Sequence, residues 1–324
     1  MKTVKIGLLG FGNVGIGTYQ TLEMNKEHIK KYSNVNIEII KILVNDITKD
    51  RGITLADGVL TSNVDDIVNN NEIDIVVEVL GGIEPATSYM LRSLNNGKHV
   101  VTANKAAVAE NFAALNTAAK DNKVSLKLEA CVAGGIPILH PLTTVLMANQ
   151  FDEILGILNG TTNYILTQMT EFGLSYEEVL KDAKAKGFAE ADETADVEGL
   201  DAANKLSILM SLAFGEYVHP SDIPTEGITK ITIDEIEAAK KENCKIKLIA
   251  SAKKDGDTIK YQVTPMKLPV THPLAGVSNE FNAVFVKGNA VDELMFYGKG
   301  AGPLPTGSAV MGDILEIAKE IAKS

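Results

Sequence analysis

The chain has 324 residues, 45% of them apolar and 23% charged, which is a globular composition and excludes disorder as the main state. Its 42 acidic residues outnumber 31 Lys and Arg for a net charge of −11, and no basic run is longer than two, so a nucleic-acid partner is not expected. The longest apolar runs are strand-sized against the ~20 residues a bilayer span needs, so no membrane partner is expected either.

Residues 1–9 form one apolar strand-like run that leads into a glycine loop, not a cleavage site, and the expected location is cytoplasmic. Residues 4–9 read as a strand buried on both faces. A helix is predicted over about 14–24. Further strands fall at 36–44, 73–80, 99–103 and 124–132, with helices from about 85 and over 106–122 between them. Strands alternating with helices of 10–15 residues argue for βαβ units, a parallel sheet and a doubly wound fold. After about residue 130 the pattern changes. A strand at 151–158 precedes helices over 162–171, 175–186 and 197–214, and a short helix over 234–242. Strands at 244–252 and 258–268 flank Asp255-Gly256-Asp257, a hairpin signal. Strands at 281–287 and 293–297 and a helix over 308–323 complete the chain. The expected fold class is α/β: an N-terminal Rossmann-type parallel sheet with a second, α+β catalytic and dimerisation domain. The predicted divisions are a dinucleotide-binding domain over 1–130, a substrate and dimerisation domain over 131–300, and a C-terminal helix, 301–324, packing back on the first.

Gly10-Phe11-Gly12-Asn13-Val14-Gly15 fits G-x-G-x-x-G directly after a strand and at the start of a helix. The glycines permit a tight turn, close approach of a pyrophosphate, and close packing of helix on strand. The helix N-terminus adds free N–H groups and a positive dipole. The second strand ends at Asn45-Asp46, where an acidic side chain suits ribose hydroxyls. Asp46 lies more than 30 residues past the glycines, beyond the usual ~20, and reads equally as a turn residue. Lys49 and Arg51 follow on the same loop. The fourth strand ends Thr102-Ala103-Asn104-Lys105, which aims Lys105 at the crevice where such folds bind ligands. Cys131 and Cys244 have no Cys or His neighbours for zinc and read as small buried hydrophobes.

The stretch from Glu190 to Lys205 is acidic and ends in an Asp201–Lys205 pair spaced for one helix face. On its own it is an acidic loop capping a helix. Beside a cofactor loop it has a second meaning. Hydride reduction of a carbonyl needs a proton donor at the developing alkoxide, and a lysine oriented by a carboxylate supplies one.

Taken together the chain resembles the homoserine dehydrogenases. The resemblance runs from residue 5 to the end. It rests on the glycine loop, Thr102–Lys105, Glu129–Pro137, Leu158–Tyr164, the stretch from Ala183 to Lys205 with its Gly199, Asp201 and Lys205, and Tyr297–Gly302 with Pro305-Thr306-Gly307. It implies NAD(P)-dependent interconversion of L-homoserine and L-aspartate 4-semialdehyde, in threonine, methionine and isoleucine biosynthesis. Lys205 is then the acid/base, supported by Asp201. Glu190 holds the substrate ammonium, Asp196 lines the substrate pocket, and Lys105 lies between nicotinamide and substrate. Thr102, Gly300 and Gly302 join the cofactor-binding set. The resemblance also implies a sodium ion held by Glu129 and the backbone carbonyls of Val132, Gly134 and Ile136, and a homodimer. Two departures stand out. Glu193 occupies a position usually held by Pro, and Asn45 one held in many members by Arg, which tilts the expected cofactor toward NAD. No counterpart of the ACT domain that some members append is recognised, so threonine feedback through one is not expected. Two alternatives are a related amino-acid dehydrogenase with another small acidic substrate, and a non-catalytic NAD(H) sensor, for which an Asp201–Lys205 pair has no use.

Overall fold

Val4, Ile6 and Leu8 are fully buried along β1 (Lys2–Leu9), the central strand of a parallel sheet. The computed structural model describes residues 1–189 and 192–323, which fall into two units: residues 1–135 with 302 onward, and residues 136–301.

In the first unit α1 (Asn13–Ser33) follows β1, and then come β2 (Val35–Leu43), β3 (Leu60–Thr61), α2 (Asp65–Val68), β4 (Ile75–Glu78), α3 (Ala86–Asn95), β5 (His99–Thr102), α4 (Lys105–Asp121) and β6 (Leu126–Lys127). The six strands are parallel in the order β3-β2-β1-β4-β5-β6. That is the doubly wound order, and it puts a topological switch point between β1 and β4. The C-terminal helix, Pro303–Lys323, belongs to this unit and places Val310, Met311, Ile314 and Ile317 in the same core as Val4, Ile6, Leu8 and Ile37. It meets α1 backbone to backbone. A Cβ on Gly17 would lie 1.9 Å from the Pro303 carbonyl oxygen, and one on Gly307 would lie 2.4 Å from the Gly17 carbonyl carbon.

Three differences from the sequence reading have physical causes. The first helix runs on to Ser33, because Ile29 is buried one heptad beyond Leu22 and Asn34 closes the helix in the left-handed conformation. That length accounts for the wide spacing between the glycines and Asp46. The strand expected over 124–132 shrinks to Leu126–Lys127. Beyond it the Glu129 N–H donates to the Asp313 carboxylate at 2.9 Å, and residues Glu129–Cys131 form a 3₁₀ turn. The short β3 and α2 span two and four residues, too few for hydrophobic periodicity to reveal.

The second unit contains α5 (Leu139–Thr143), β7 (Phe151–Ile157), α6 (Gly160–Phe172), α7 (Tyr176–Ala185), α8 (Thr194–Val197), α9 (Leu200–Ala213), α10 (Ile233–Lys241), β8 (Cys244–Asp255), β9 (Thr258–Pro269), β10 (Phe281–Gly288) and β11 (Asp292–Lys299). Its five strands are antiparallel in the order β11-β10-β7-β8-β9. The hairpin signal at Asp255–Asp257 is the β8–β9 turn, with Gly256 at φ +63°. α6, α9 and α10 pack against this sheet. The helix predicted over 197–214 is broken. Gly199 sits at φ +81° between α8 and α9, where a Cβ would press on Thr225 at 3.0 Å.

Candidate active site

In the first unit the chain leaves β1 at Gly10, where a φ of +104° and the Val79 carbonyl oxygen, 2.9 Å from where a Cβ would stand, exclude a side chain. Gly15 presses on the Gly10 carbonyl oxygen, and a Cβ there would lie at 2.4 Å. Gly12 is the N-cap of α1, with no side-chain cap and nothing within 4 Å of the Cβ direction. Open space in front of uncapped N–H groups at a switch point is what a pyrophosphate requires. Phe11 is buried edge-on against Tyr19, so its side chain serves the core; Asn13 is exposed and Val14 half-buried.

At the end of β2, Asn45 and Asp46 are exposed. Asp46 Oδ1 accepts from the Thr48 N–H at 2.8 Å and its hydroxyl at 2.6 Å, and these bonds hold the carboxyl below the usual carboxylate range. Asp46 is thus a turn residue that also presents an anion at the strand tip. Arg51 folds back on the loop, donating to the carbonyls of Asp46 and Lys49 at 2.8 Å each.

Lys105 is the first residue of α4 and is half-buried. The turn before it is fixed by a residue the sequence reading passed over, Glu78 at the end of β4, which is fully buried. Glu78 accepts from the Leu80 N–H at 2.7 Å, the Thr102 hydroxyl at 2.7 Å and the Asn104 amide at 3.4 Å. Asn104 in turn donates to the Gly82 carbonyl at 2.7 Å and caps α4 by accepting from the Ala107 N–H. Burial pushes the Glu78 carboxyl up, and its hydrogen bonds oppose that. Thr102 is therefore committed to the scaffold beneath Lys105. The available signal was a carboxylate ending the apolar run Ile75–Val77, since a buried charge demands partners.

Glu129 is buried on the 3₁₀ turn beside Asp313, whose carboxyl burial pushes up to about 8. Ala133 and Gly134 both adopt φ near +54°, at 55° and 53°, in the turn that carries the Val132 and Gly134 carbonyls. Among the described residues no three His, Cys, Asp or Glu side chains gather to hold a metal. One carboxylate with backbone carbonyls is a donor set of hard oxygens, suited to a hard cation and not to zinc. Cys131 is buried, and its thiol is pushed well up by burial; Cys244 is only half-buried, contrary to expectation, because it opens the outer strand pair at the end of α10.

In the second unit the break at Gly199 lets two carboxylates from successive helices converge. Asp196 on α8 and Asp201 on α9 both accept from the Asn159 side-chain amide, at 2.7 and 3.0 Å. Lys205 lies one turn beyond Asp201. Its Nζ donates to Asp201 Oδ2 at 2.6 Å and to the Leu158 carbonyl at 2.6 Å, and both side chains are about nine-tenths buried. The Thr161 hydroxyl lies 3.2 Å from Asp196 and donates to the Phe188 carbonyl at 2.6 Å. Burial, then the nearby Asp201 charge, pushes the Asp196 carboxyl up. The predicted Asp201–Lys205 pair is thus an oriented ammonium–carboxylate pair, joined by Asp196. Asn159 and Thr161 enter the cluster as side chains that the sequence reading had quoted only within a motif. Glu193, at the departure from the family pattern, pairs with Lys184 at 2.6 Å. Glu190 lies outside the described residues. Gly300 is pressed by the Asn282 amide, 2.1 Å from where a Cβ would stand, and Gly302 holds φ +121° just before the C-terminal helix.

Residues 10–129 match the family described as "Homoserine dehydrogenase, NAD binding domain", and residues 137–315 the one described as "Homoserine dehydrogenase". The chain is 44% identical over 321 residues to the homoserine dehydrogenase of Bacillus subtilis, covering 99% of this chain and 74% of that protein. A homoserine dehydrogenase structure from Thiobacillus denitrificans superposes with a TM-score of 0.95 at 41% identity, over 99% of this chain and 74% of the other. A hyperthermophilic archaeal homoserine dehydrogenase, solved in complex with NADPH, gives 0.83 at 26% identity over 98% of both chains. With both halves matched and full-length relatives above 40% identity, the chain belongs to the homoserine dehydrogenase family, nicotinamide-dependent oxidoreductases that act on a CH–OH group.

Proposed function

We propose that the first unit holds the dinucleotide and the second the amino-acid substrate, L-homoserine or L-aspartate 4-semialdehyde. The nicotinamide, when bound, gives or takes the hydride. The protein's part is to bind, orient and manage one proton. Lys205 gives that proton to the aldehyde oxygen during reduction and takes it back during oxidation. The observation that carries this is the 2.6 Å contact of buried Lys205 with Asp201, which fixes the ammonium's direction together with the Leu158 carbonyl. Proton transfer of this kind is worth ~10²–10⁴-fold. Asp196 and Glu190 bind the polar end of the substrate. Lys105, held by the Asn104 cap, attends the reacting centre. In the first unit the glycine loop, Asn45, Asp46, Thr102 and Gly302 surround the dinucleotide.

The experiment is Lys205→Ala. It should lose nearly all turnover and still bind reduced cofactor in a calorimetric titration; turnover within threefold of wild type would sink the assignment. The same reading places a sodium ion on Glu129 and the carbonyls of Val132, Gly134 and Ile136, tested by replacing Na⁺ with a bulky organic cation and measuring Tm. It gives a homodimer, checked by sedimentation, and a cytoplasmic place in threonine, methionine and isoleucine biosynthesis. No helix among the described residues is long and apolar enough to cross a membrane. The cofactor reading favours NAD. The strand tip carries Asn45 and an Asp46 kept anionic by Thr48, and the loop's own carbonyls already engage Arg51.

A further inference from the structure

We infer that Asn159 is a positioning residue for the proton transfer: its amide holds Asp196 and Asp201 in register with each other and so sets the orientation and charge balance of Lys205. The inference rests on the catalytic reading of the Lys205 cluster.

Every hydrogen-bonding direction of the Asn159 side chain has a defined use. Its nitrogen donates to Asp196 Oδ1 at 2.7 Å and to Asp201 Oδ2 at 3.0 Å. Its oxygen accepts from the Thr162 N–H at 2.9 Å and caps α6. The residue is buried. Asp201 Oδ2 is the same oxygen that accepts from Lys205 Nζ, and the carbonyl of the preceding residue, Leu158, takes another Lys205 hydrogen. One backbone step, Leu158–Asn159, therefore holds the lysine directly and its carboxylate partner through the amide.

The chemistry of the amide matters. Two carboxylates share a buried pocket with one lysine from α9, so a neutral double donor lets them approach without a third charge. Among the described residues, the charged groups facing Asp196 are Asp201 and Lys205, both on α9; the N-terminal end of α6 offers its cap Asn159 and Thr161. The Asn159 bond lowers the Asp196 pKa against the upward push of burial. A serine or aspartate would cap α6 as well as asparagine does. Neither gives two hydrogens to two acids.

Asn159→Asp separates the two roles, because it keeps the cap and removes the bridge. The expected result is a lowered Tm, because a third buried carboxyl now sits beside two acids, a kcat lowered by ~10²-fold as a misplaced catalytic group implies, and an acidic limb of the kcat/KM profile for homoserine moved to higher pH. Should Asn159→Asp not fold, Asn159→Ser carries the same test with one hydrogen in place of two. Asp201→Asn is measured alongside. If it is inactive while Asn159→Asp stays within threefold of wild type with an unmoved pH profile, the positioning role falls and the catalytic reading stands. If Asp201→Asn is also near wild type, both fall.

Discussion

Each unit buries a carboxylate network, and the two are satisfied differently. Around Glu78 the donors are neutral: the Leu80 N–H, the Thr102 hydroxyl and the Asn104 amide. Around Asp201 one donor is an ammonium, Lys205. Neutral donors tie a carboxylate to the backbone and hardly change when a proton moves elsewhere, so Glu78 stiffens the turn ahead of Lys105. An ammonium partner makes the pair's geometry depend on where the proton is, which suits a group that must give one up. On the proposed mechanism, two buried acids of similar exposure divide into scaffold and chemistry according to their partners.

The strongest way to break this contrast is Asp201→Asn. Removing one side of a buried ion pair costs about 3–5 kcal/mol of its stabilisation, and kcat should fall by ~10²–10⁴-fold. Cofactor binding, read by calorimetric titration, should be unchanged. An equal loss of cofactor affinity would show that the two networks are not separate in function.

Glu78→Gln should do the reverse. The new NH₂ faces donors, so the buried network loses about 1–3 kcal/mol, seen as a lower Tm. The cofactor KM should rise more than kcat falls. A kcat loss as large as that of Asp201→Asn would refute the scaffold role.

A third test uses a buried lysine that is not in either network. Lys247 on β8 donates to Asn163 at 2.9 Å and to the Val277 carbonyl at 2.6 Å. Burial, with Lys245 in support and Glu171 opposing, lowers its pKa from 10.5 to about 7. Between those values the unfolded chain binds more protons than the folded one, so stability rises with pH. Chemical denaturation of wild type from pH 7 to 10 should show that rise, and Lys247→Met should flatten it. A slope unchanged in the variant would assign the effect to other groups.

The smallest effect is expected at the β2 tip. Asn45→Arg should shift kcat/KM toward NADP by several-fold, since exposed charges are worth ~0–1 kcal/mol. A wild-type enzyme already strongly selective for NADP would show that Lys49 and Arg51 close over the 2′-phosphate.

The parts of this arrangement that were legible in the sequence are those with a local signature. The glycine loop announces itself by spacing, and Asp201–Lys205 by one helical turn. The parallel sheet follows from apolar runs of strand length. What stayed hidden depends on tertiary partners. Glu78 ends an apolar run, and its partners come from turns near residues 80 and 102–104. Asn159 looks like an ordinary N-cap until a break at Gly199, held at a φ of +81° that favours glycine, swings Asp196 and Asp201 onto its amide. The strand expected through 132 ended early because the Glu129 N–H had a partner 184 residues away in the sequence, Asp313.

The backbone contact between Gly17 and Gly307 has a consequence for synthesis on the ribosome. The first unit is interrupted in sequence by the whole of the second, and its core lacks Val310, Met311, Ile314 and Ile317 until the last helix has emerged. At about 5–20 residues per second, the nascent β1–β6 sheet waits roughly 10–40 s with one apolar face uncovered. During that interval the second unit, contiguous in sequence, is free to fold first. Vectorial folding here runs out of order: the segment made first is finished last.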